Sequence, residues 1–501
     1  MEKLSKSIID KKPSEDLPVK ILQFGTGNFL RGFIEPMVSQ MNQQGTFGGK
    51  ITMLQSTSHS KSQSLAHQDF LYTLCLRGMK NGDVSKEMNV IDCIEGSINL
   101  NEAFSTYLKQ AENPDLRIII SNTTEAGIVF NEEDTPELSP PNSFPAKLLC
   151  LLKARYDYFK GDQSKGLLIF PCELIDDNGN ILKDILLKLS DLWYKNDKKF
   201  REWLIEANVF FNTLVDRIVS GFPHEESEMI YSELGYEDPF LVAGELYHFL
   251  AIEGPKEYLK EFPLDSIQAN FEWCDDITPF RTRKVRMLNG AHTMMVPVAF
   301  LKGLNTVYES MSDDLINKYL NKALRDEVLP ILEGNDNDLN NFADAVLERF
   351  CNPTIQHRLL SISLNSFSKY KTRVLPSLKE YLQKFNKLPD LMIFSLSALV
   401  AFYKGTTLEN DTIKNIRKHD GSEYDIIDTP EILNWIHTLW QEHKKPNEND
   451  CCDLMNKILS TKDVWDEDLN SITELAEKSG HFLHLILNKG IEKAIEESKL
   501  I

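Results

Sequence analysis

The stretch Arg281-Thr282-Arg283-Lys284-Val285-Arg286-Met287-Leu288-Asn289-Gly290-Ala291-His292 places a lysine, an amide and an imidazole within one short run. At about 100° per residue on an α-helix, Asn289 lies roughly 140° and His292 roughly 80° from Lys284, so the three share one side. Such a face holds the parts for hydride transfer at a carbonyl. A lysine whose pKa is lowered by burial or by neighbouring cations serves as general acid or base. An asparagine donates a hydrogen bond to the carbonyl oxygen as negative charge develops, and a histidine orients the lysine or holds a substrate hydroxyl. Spacing alone also allows a plainer reading: a basic solvated face closed by a turn at Asn289-Gly290.

A second candidate follows the first apolar run. Phe24 leads into Gly25-Thr26-Gly27-Asn28-Phe29-Leu30-Arg31-Gly32. A glycine turn between a strand and a helix lets backbone approach a pyrophosphate, which the helix N-terminus then stabilises. Phe24, Gly25, Gly27, Asn28 and Phe29 are the cofactor-binding candidates there, although Leu30 occupies the third glycine position of the dinucleotide fingerprint. The plain alternative is a strand-to-helix turn. No acid follows the second apolar run, where a ribose-binding carboxylate is usual. Gln55 and the hydroxyls of Ser56, Thr57, Ser58 and Ser60, with Lys61, stand there instead. Hydroxyls and lysine suit a 2′-phosphate and Gln55 or a hydroxyl an unphosphorylated ribose, so these residues leave NAD versus NADP open. The expected cofactor is NAD, with NADP not excluded. After a third run, Asn122 and Thr123 are candidates for the nicotinamide side, and Glu125 reads equally as a residue of a first helical turn.

These groups need elements to hold them. Val19–Phe24, Ile51–Leu54, Leu116–Ser121 and Leu167–Phe170 read as buried strands separated by helical stretches such as Phe29–Asn42 and Ala146–Phe159. The expected class is α/β: an N-terminal Rossmann-type doubly wound sheet, residues 1–276, followed by a mostly α-helical domain, residues 277–501. Helices are predicted over Asp314–Leu324, Leu339–Phe350, Pro376–Phe385 and Leu391–Tyr403. The polar stretch Trp273–Pro279 suits a linker, and Lys489–Ile501 a solvated amphipathic helix.

Length supports two domains, and an apolar fraction of 42% allows each a core. A formal charge of −20 argues against non-specific nucleic-acid binding, while leaving room for a local basic pocket. The eight cysteines lack CxxC or framework spacing, which favours reduced thiols. The polar N-terminal stretch and the absence of a membrane-length apolar run point to a cytoplasmic protein with no membrane partner, monomeric or a small homo-oligomer. His481 and His484 have metal-compatible spacing but no evident third ligand, so no metal is expected. Cys451-Cys452 receive no role. Asp216-Arg217 reads either as an active-site neighbour or as an ordinary surface ion pair.

The Lys284-x4-Asn289-x2-His292 pattern resembles the catalytic signature of the long-chain mannitol dehydrogenase family, and Gly25–Gly32 resembles that family's GxGxFxRG-type cofactor turn. Further similar stretches are QDFLYTLCLRG, SNTTEAGI, FPCELIDDNG, VRMLNGAHTMMVPVAFLKGL and SLNSFSKYKTRVLPSL. The resemblance implies a nicotinamide-dependent oxidoreductase acting without metal on a polyol or sugar acid, with its active site between the two domains. It implies Lys284 as acid/base, Asn289 as carbonyl donor, His292 as substrate-orienting residue and Lys369 as a substrate contact. Two positions depart from the family. Glu173 stands where a second asparagine is usual, and a carboxylate donates no hydrogen bond unless protonated. Ser361 stands where a substrate-binding arginine is usual, leaving Arg358 or Arg373 to take a carboxylate by bidentate pairing. Both departures favour a uronate over mannitol.

Overall fold

Runs of Ile, Leu and Phe between polar segments form a parallel sheet with apolar residues on both faces. Its six strands are β1 (Val19–Phe24), β2 (Lys50–Gln55), β3 (Ile94–Asn99), β4 (Ile118–Ser121), β5 (Leu168–Pro171) and β6 (Val209–Phe210). They lie in the order β3-β2-β1-β4-β5-β6, every neighbouring pair parallel. That is the doubly wound dinucleotide-binding order, with the strand direction of travel reversing between β1 and β4. Successive residues serve opposite faces: Ile21, Met53, Ile118, Ile120 and Phe170 join one core, Leu22, Leu54, Ile119 and Ile169 the other. The helices α1 (Asn28–Gln43), α2 (Phe144–Tyr158) and α3 (Asn178–Trp193) cover these faces.

This computed structural model describes residues 1–9, 16–56, 62–80, 82–123, 127–405, 407–409, 412–417, 419–444 and 446–501. Glu125 and residues 57–61 lie outside them. The chain divides into two compact units, Met1–Thr278 and Pro279–Ile501. The first also holds a four-stranded sheet, Val219–Gly221, Val242–Glu245, Tyr72–Lys80 and Asp83–Ile91, and a three-stranded sheet of Phe271–Cys274, Phe249–Glu253 and Asn212–Asp216. Trp273 and Cys274 are therefore strand residues of the first unit. Trp273 is buried against Phe170 and Phe211, which corrects the linker expected at Trp273–Pro279.

The second unit has a single large core. Around it pack α4 (Gly290–Lys302), α5 (Asp336–Phe350), α6 (Ser366–Arg373), α7 (Leu375–Phe385), α8 (Asp390–Phe402), α9 (Glu448–Leu459), α10 (Leu475–Lys489) and α11 (Ile491–Glu497). A small antiparallel sheet, Thr407–Glu409, Thr412–Ile416 and Glu423–Ile426, is the one sheet among its described residues. The C-terminal tail is not solvated as expected: Ile491, Ala494, Ile495 and Leu500 belong to the core. Cys451 and Cys452 also acquire a place. A Cβ on Gly480 of α10 would fall 2.5 Å from the Cys452 Cα, so α9 and α10 pack backbone to backbone there. No helix among the described residues is long and apolar enough to cross a membrane.

Candidate functional site

In the first unit the register aligns the strand ends. Phe24 pairs with both Leu54 and Ser121, and Ser121 with Pro171, so Gly25, Gln55, Asn122 and Cys172 emerge side by side. Gly25 adopts φ +109°, and a Cβ there would lie 2.5 Å from the Asn122 carbonyl oxygen; only glycine fits. A Cβ at Gly27 would meet open space. The first turn of α1 has no acidic residue and no side-chain cap, which leaves its amides and partial positive charge to an anion.

Leu30, where the third fingerprint glycine would be, is a core residue. The close helix–strand contact falls instead at Gly32, where a Cβ would approach both Val219 methyls to 2.8 Å. Arg31 lies over the Tyr72 ring at 4.4 Å and donates to the Phe240 carbonyl. Tyr72 in turn donates to Glu35 at 2.7 Å. Arg217 is half-buried rather than part of a surface ion pair. It donates to the carbonyls of Gly32, Leu246 and Tyr247, tying the N-terminal half of α1 to the connection that follows the strand Val242–Glu245.

A cavity of about 970 Å³ opens over this turn, bounded by Phe24–Phe29, Ser56, Asn122, Thr123 and the start of α2. Gln55 does not line it. The Gln55 side chain is buried at the end of β2, and Ser56 takes its place at the cavity. Sequence reasoning missed the α2 wall: Asn142, Ser143, Phe144 and Lys147. The Ser143 side chain caps Ala146, a signal visible as Ser before Phe-Pro. Lys147 is buried, and its ammonium donates to the Asn142 carbonyl; burial holds its pKa below the usual lysine range.

Glu173 is buried and fully engaged. It accepts from the Ser121 hydroxyl, the Thr123 amide and the Thr123 hydroxyl, each at 3.0 Å. Asn122 donates to the Cys172 carbonyl at 2.6 Å. The turns after β4 and β5 are thereby laced together. Burial pushes the Glu173 carboxyl upward, and the Thr123 amide is the largest of the hydrogen bonds opposing that shift.

In the second unit, Lys284–Asn289 is not α-helical but a π-helical segment leading straight into α4. With i to i+5 hydrogen bonding, Asn289 sits one turn from Lys284 rather than 140° around, and His292 follows one α-helical turn later. The wider turn thus aligns the three polar groups more closely than the expected α-helix would. Met287 and Leu288 face the core. Two of the neighbouring basic residues are engaged elsewhere: Arg283 lies over the Phe342 ring at 4.5 Å, and Arg286 pairs with Glu380 at 2.8 Å. Lys284 and Asn289 are half-buried.

His292 stacks on Phe350, with centroids 4.1 Å apart, and meets the His357 ring edge-on at 5.2 Å. The C-terminal end of α6 packs on the same place: a Cβ at Gly290 would lie 3.4 Å from the Arg373 carbonyl oxygen. Burial, then the charges of His357, Arg349, Arg373 and Lys369, hold His292 well below the ordinary imidazole pKa. Burial likewise lowers His357 and Arg373. Lys369 is lowered by burial and by Arg373, with Asp428 opposing; its ammonium donates to the Ile362 carbonyl at 2.8 Å. Among the described residues, the Arg373 guanidinium, the rings of His292 and His357 and the Asn289 amide make no side-chain hydrogen bond or ion pair. Arg358 is exposed at the start of a short helix, and Ser361 is also exposed. Of the two arginines expected near the substrate, only Arg373 joins the His292 cluster. His357, Phe350 and Arg349 were not anticipated, since nothing in their spacing marks them.

His481 does have a carboxylate neighbour: Glu448 lies 2.6 Å from its Nδ1, as an exposed pair, while His484 contacts Asn488. No metal-ligating cluster exists among the described residues.

Comparisons with known proteins agree with this architecture. The family model for the mannitol dehydrogenase Rossmann domain matches residues 19–266, and that for the mannitol dehydrogenase C-terminal domain matches residues 276–486. An altronate oxidoreductase of Bacillus subtilis (strain 168) is 41% identical over 497 residues, 99% of this chain and 98% of that relative. Among solved structures, a D-sorbitol dehydrogenase in substrate-free form superposes with a TM-score of 0.77 at 19% identity, covering 99% of this chain and 100% of that one. A Pseudomonas fluorescens mannitol 2-dehydrogenase, in ternary complex with NAD and D-mannitol, gives 0.68 at 18% identity, covering 97% and 95%.

Proposed function

The chain belongs to the mannitol dehydrogenase family, and from that premise we propose that it is an NAD-dependent tagaturonate reductase (altronate oxidoreductase). The observation that carries the sugar-acid reading is the half-buried Arg373 guanidinium, without a described partner, in a cluster that already holds Lys369 and His357. A buried cation without a counterion is costly unless a ligand supplies one. A uronate carboxylate supplies it; a neutral polyol does not. The 41% identical relative, named for altronate, points the same way.

The first unit's cavity fits a dinucleotide: glycine backbone and the uncapped α1 N-terminus for the pyrophosphate, with Asn122 and Thr123 beside the glycine turn. Ser56 follows β2 at the cavity, where its hydroxyl can hold the adenosine ribose. The bound nicotinamide supplies hydride to the substrate ketone. Lys284 gives its proton to the resulting oxygen, and takes one back in the oxidative direction. The Asn289 amide donates to the same oxygen as charge accumulates on it. His292, held neutral by its surroundings, binds a substrate hydroxyl. Arg373 with Lys369 anchors the carboxylate. Glu173, its oxygens occupied by Ser121 and Thr123, holds the cofactor-facing turns in place rather than touching substrate.

The deciding experiment incubates the protein with tagaturonate and NADH and follows nicotinamide absorbance. Turnover of tagaturonate well above fructuronate and fructose is expected. Absence of turnover with all three would remove the reading.

A further inference from the structure

His357 has no role in the family signature, yet it is placed among the groups that do. Its ring meets His292 edge-on at 5.2 Å, on a different side from the stacked Phe350 ring. Its backbone is fixed independently: the His357 carbonyl accepts from the Val307 amide at 3.0 Å, and Thr306 and Arg358 form a β-bridge beside it. The ring is half-buried, and neither nitrogen is used in a hydrogen bond among the described residues. Arg373 approaches His292 from α6, its guanidinium also unused among the described residues, and Lys369 lies one turn before it on that helix. His292, His357 and Arg373, from three separate segments, thus lie around one place with their N–H groups unspent among the described residues. In a partly desolvated place such donors are satisfied by a ligand or cost free energy.

We propose that His357 is a specificity-determining residue that donates an imidazole N–H to the substrate carboxylate, beside the Arg373 guanidinium. This rests on the sugar-acid reading above. The division of labour follows from chemistry. Arg373 provides charge and a bidentate fork. His357 provides a single directional donor that needs no permanent charge, so burial, which holds it neutral, leaves its function intact. His292, sharing the ring contact, is left free for a hydroxyl. A carboxylate bound between His357 and Arg373 fixes one end of the chain, and hence which carbon reaches the reacting position.

The test compares the full-length wild type with His357→Phe, which keeps a ring against His292 but loses the donor, and His357→Gln, which keeps a donor. KM for tagaturonate, kcat, and calorimetric affinity for altronate are measured on each, with NADH affinity as the check on folding. For His357→Phe, KM and the altronate Kd should rise about tenfold, the order expected for losing one hydrogen bond to a charged group. Its kcat should stay within about threefold, and His357→Gln should recover most of the loss. A fall in kcat exceeding the rise in KM would overturn the proposal, because it would mean that His357 merely holds His292. So would an unchanged altronate affinity. Should the Phe variant not fold, His357→Leu against His357→Gln reads the same contrast. Failure of the wild type to turn over tagaturonate would count against the function, while altronate binding would still judge His357.

Discussion

The two units meet their ligand problems in opposite ways. In the first, polar groups near the cavity are committed to the protein: Glu173 to Ser121 and Thr123, Asn122 to Cys172, Arg217 to three carbonyls, Lys147 to Asn142. What remains for a ligand is backbone, shape and a helix end. In the second, His292, His357, Arg373 and Asn289 hold their donors in reserve among the described residues. A crevice of satisfied side chains suits a cofactor whose binding is generic to the fold. A cluster of unsatisfied donors suits a substrate whose charge completes it. On the proposed function, recognition by geometry and recognition by charge are segregated by unit.

Four substitutions probe this contrast. The largest effect is expected at Lys284: Lys284→Ala should lower kcat roughly a thousandfold, the scale of general acid–base catalysis, with NADH affinity nearly unchanged by fluorescence titration. Near-normal turnover would remove the lysine from its role. Next is Arg373→Gln, for which KM for tagaturonate should rise about a hundredfold through loss of a charge-assisted, bidentate contact. The variant should also unfold at a slightly higher temperature than wild type in the absence of substrate, since a half-buried charge without a described partner is gone. If KM holds and stability falls, Arg373 is a structural residue.

Gly25→Ala should act on the other side only, weakening NADH about tenfold through the positive φ and the Asn122 clash, with KM for the sugar acid little altered. An unaffected NADH titration would break the assignment of the crevice. The smallest change is expected from Glu173→Gln. It keeps one acceptor oxygen but loses the other, so KM for NADH should rise about threefold while KM for tagaturonate stays constant. A rise in the sugar-acid KM instead would return Glu173 to the substrate.

The parts legible in sequence are those whose cause is local. β1, β2, β4 and β5 appear as short apolar runs because both faces of each strand are covered; α5 and α7 appear as apolar periodicity against one core, and α8, buried on all sides, as a longer apolar run. The glycines at 25 and 27 declare a turn by themselves. The illegible parts have distant causes. Gly32 substitutes for the third fingerprint glycine only because Val219, far along the chain, occupies the space beside it. The π-helical register at Lys284–Asn289 leaves no signature in residue type, so a uniform helix places Asn289 on the wrong azimuth. The strand Asp83–Ile91 is mostly exposed, alternating little, and offers few apolar residues to read. His357 and Phe350 reach His292 through tertiary packing, and isolated aromatic residues in a chain rich in them carry no mark of it.

The contact of Gly32 with Val219, and of Arg217 with the Gly32 carbonyl, also bears on biosynthesis. The seat of α1 is completed by residues that leave the ribosome about ten seconds or more after it, at ordinary elongation rates. Until they arrive, the phosphate-facing turn has its strand but not the surface that sets the tilt of its helix. The nucleotide half is therefore no early-maturing module. A nascent or truncated chain ending near residue 210 would carry all six parallel strands and both fingerprint glycines, yet would lack the buttress against which the turn is aimed.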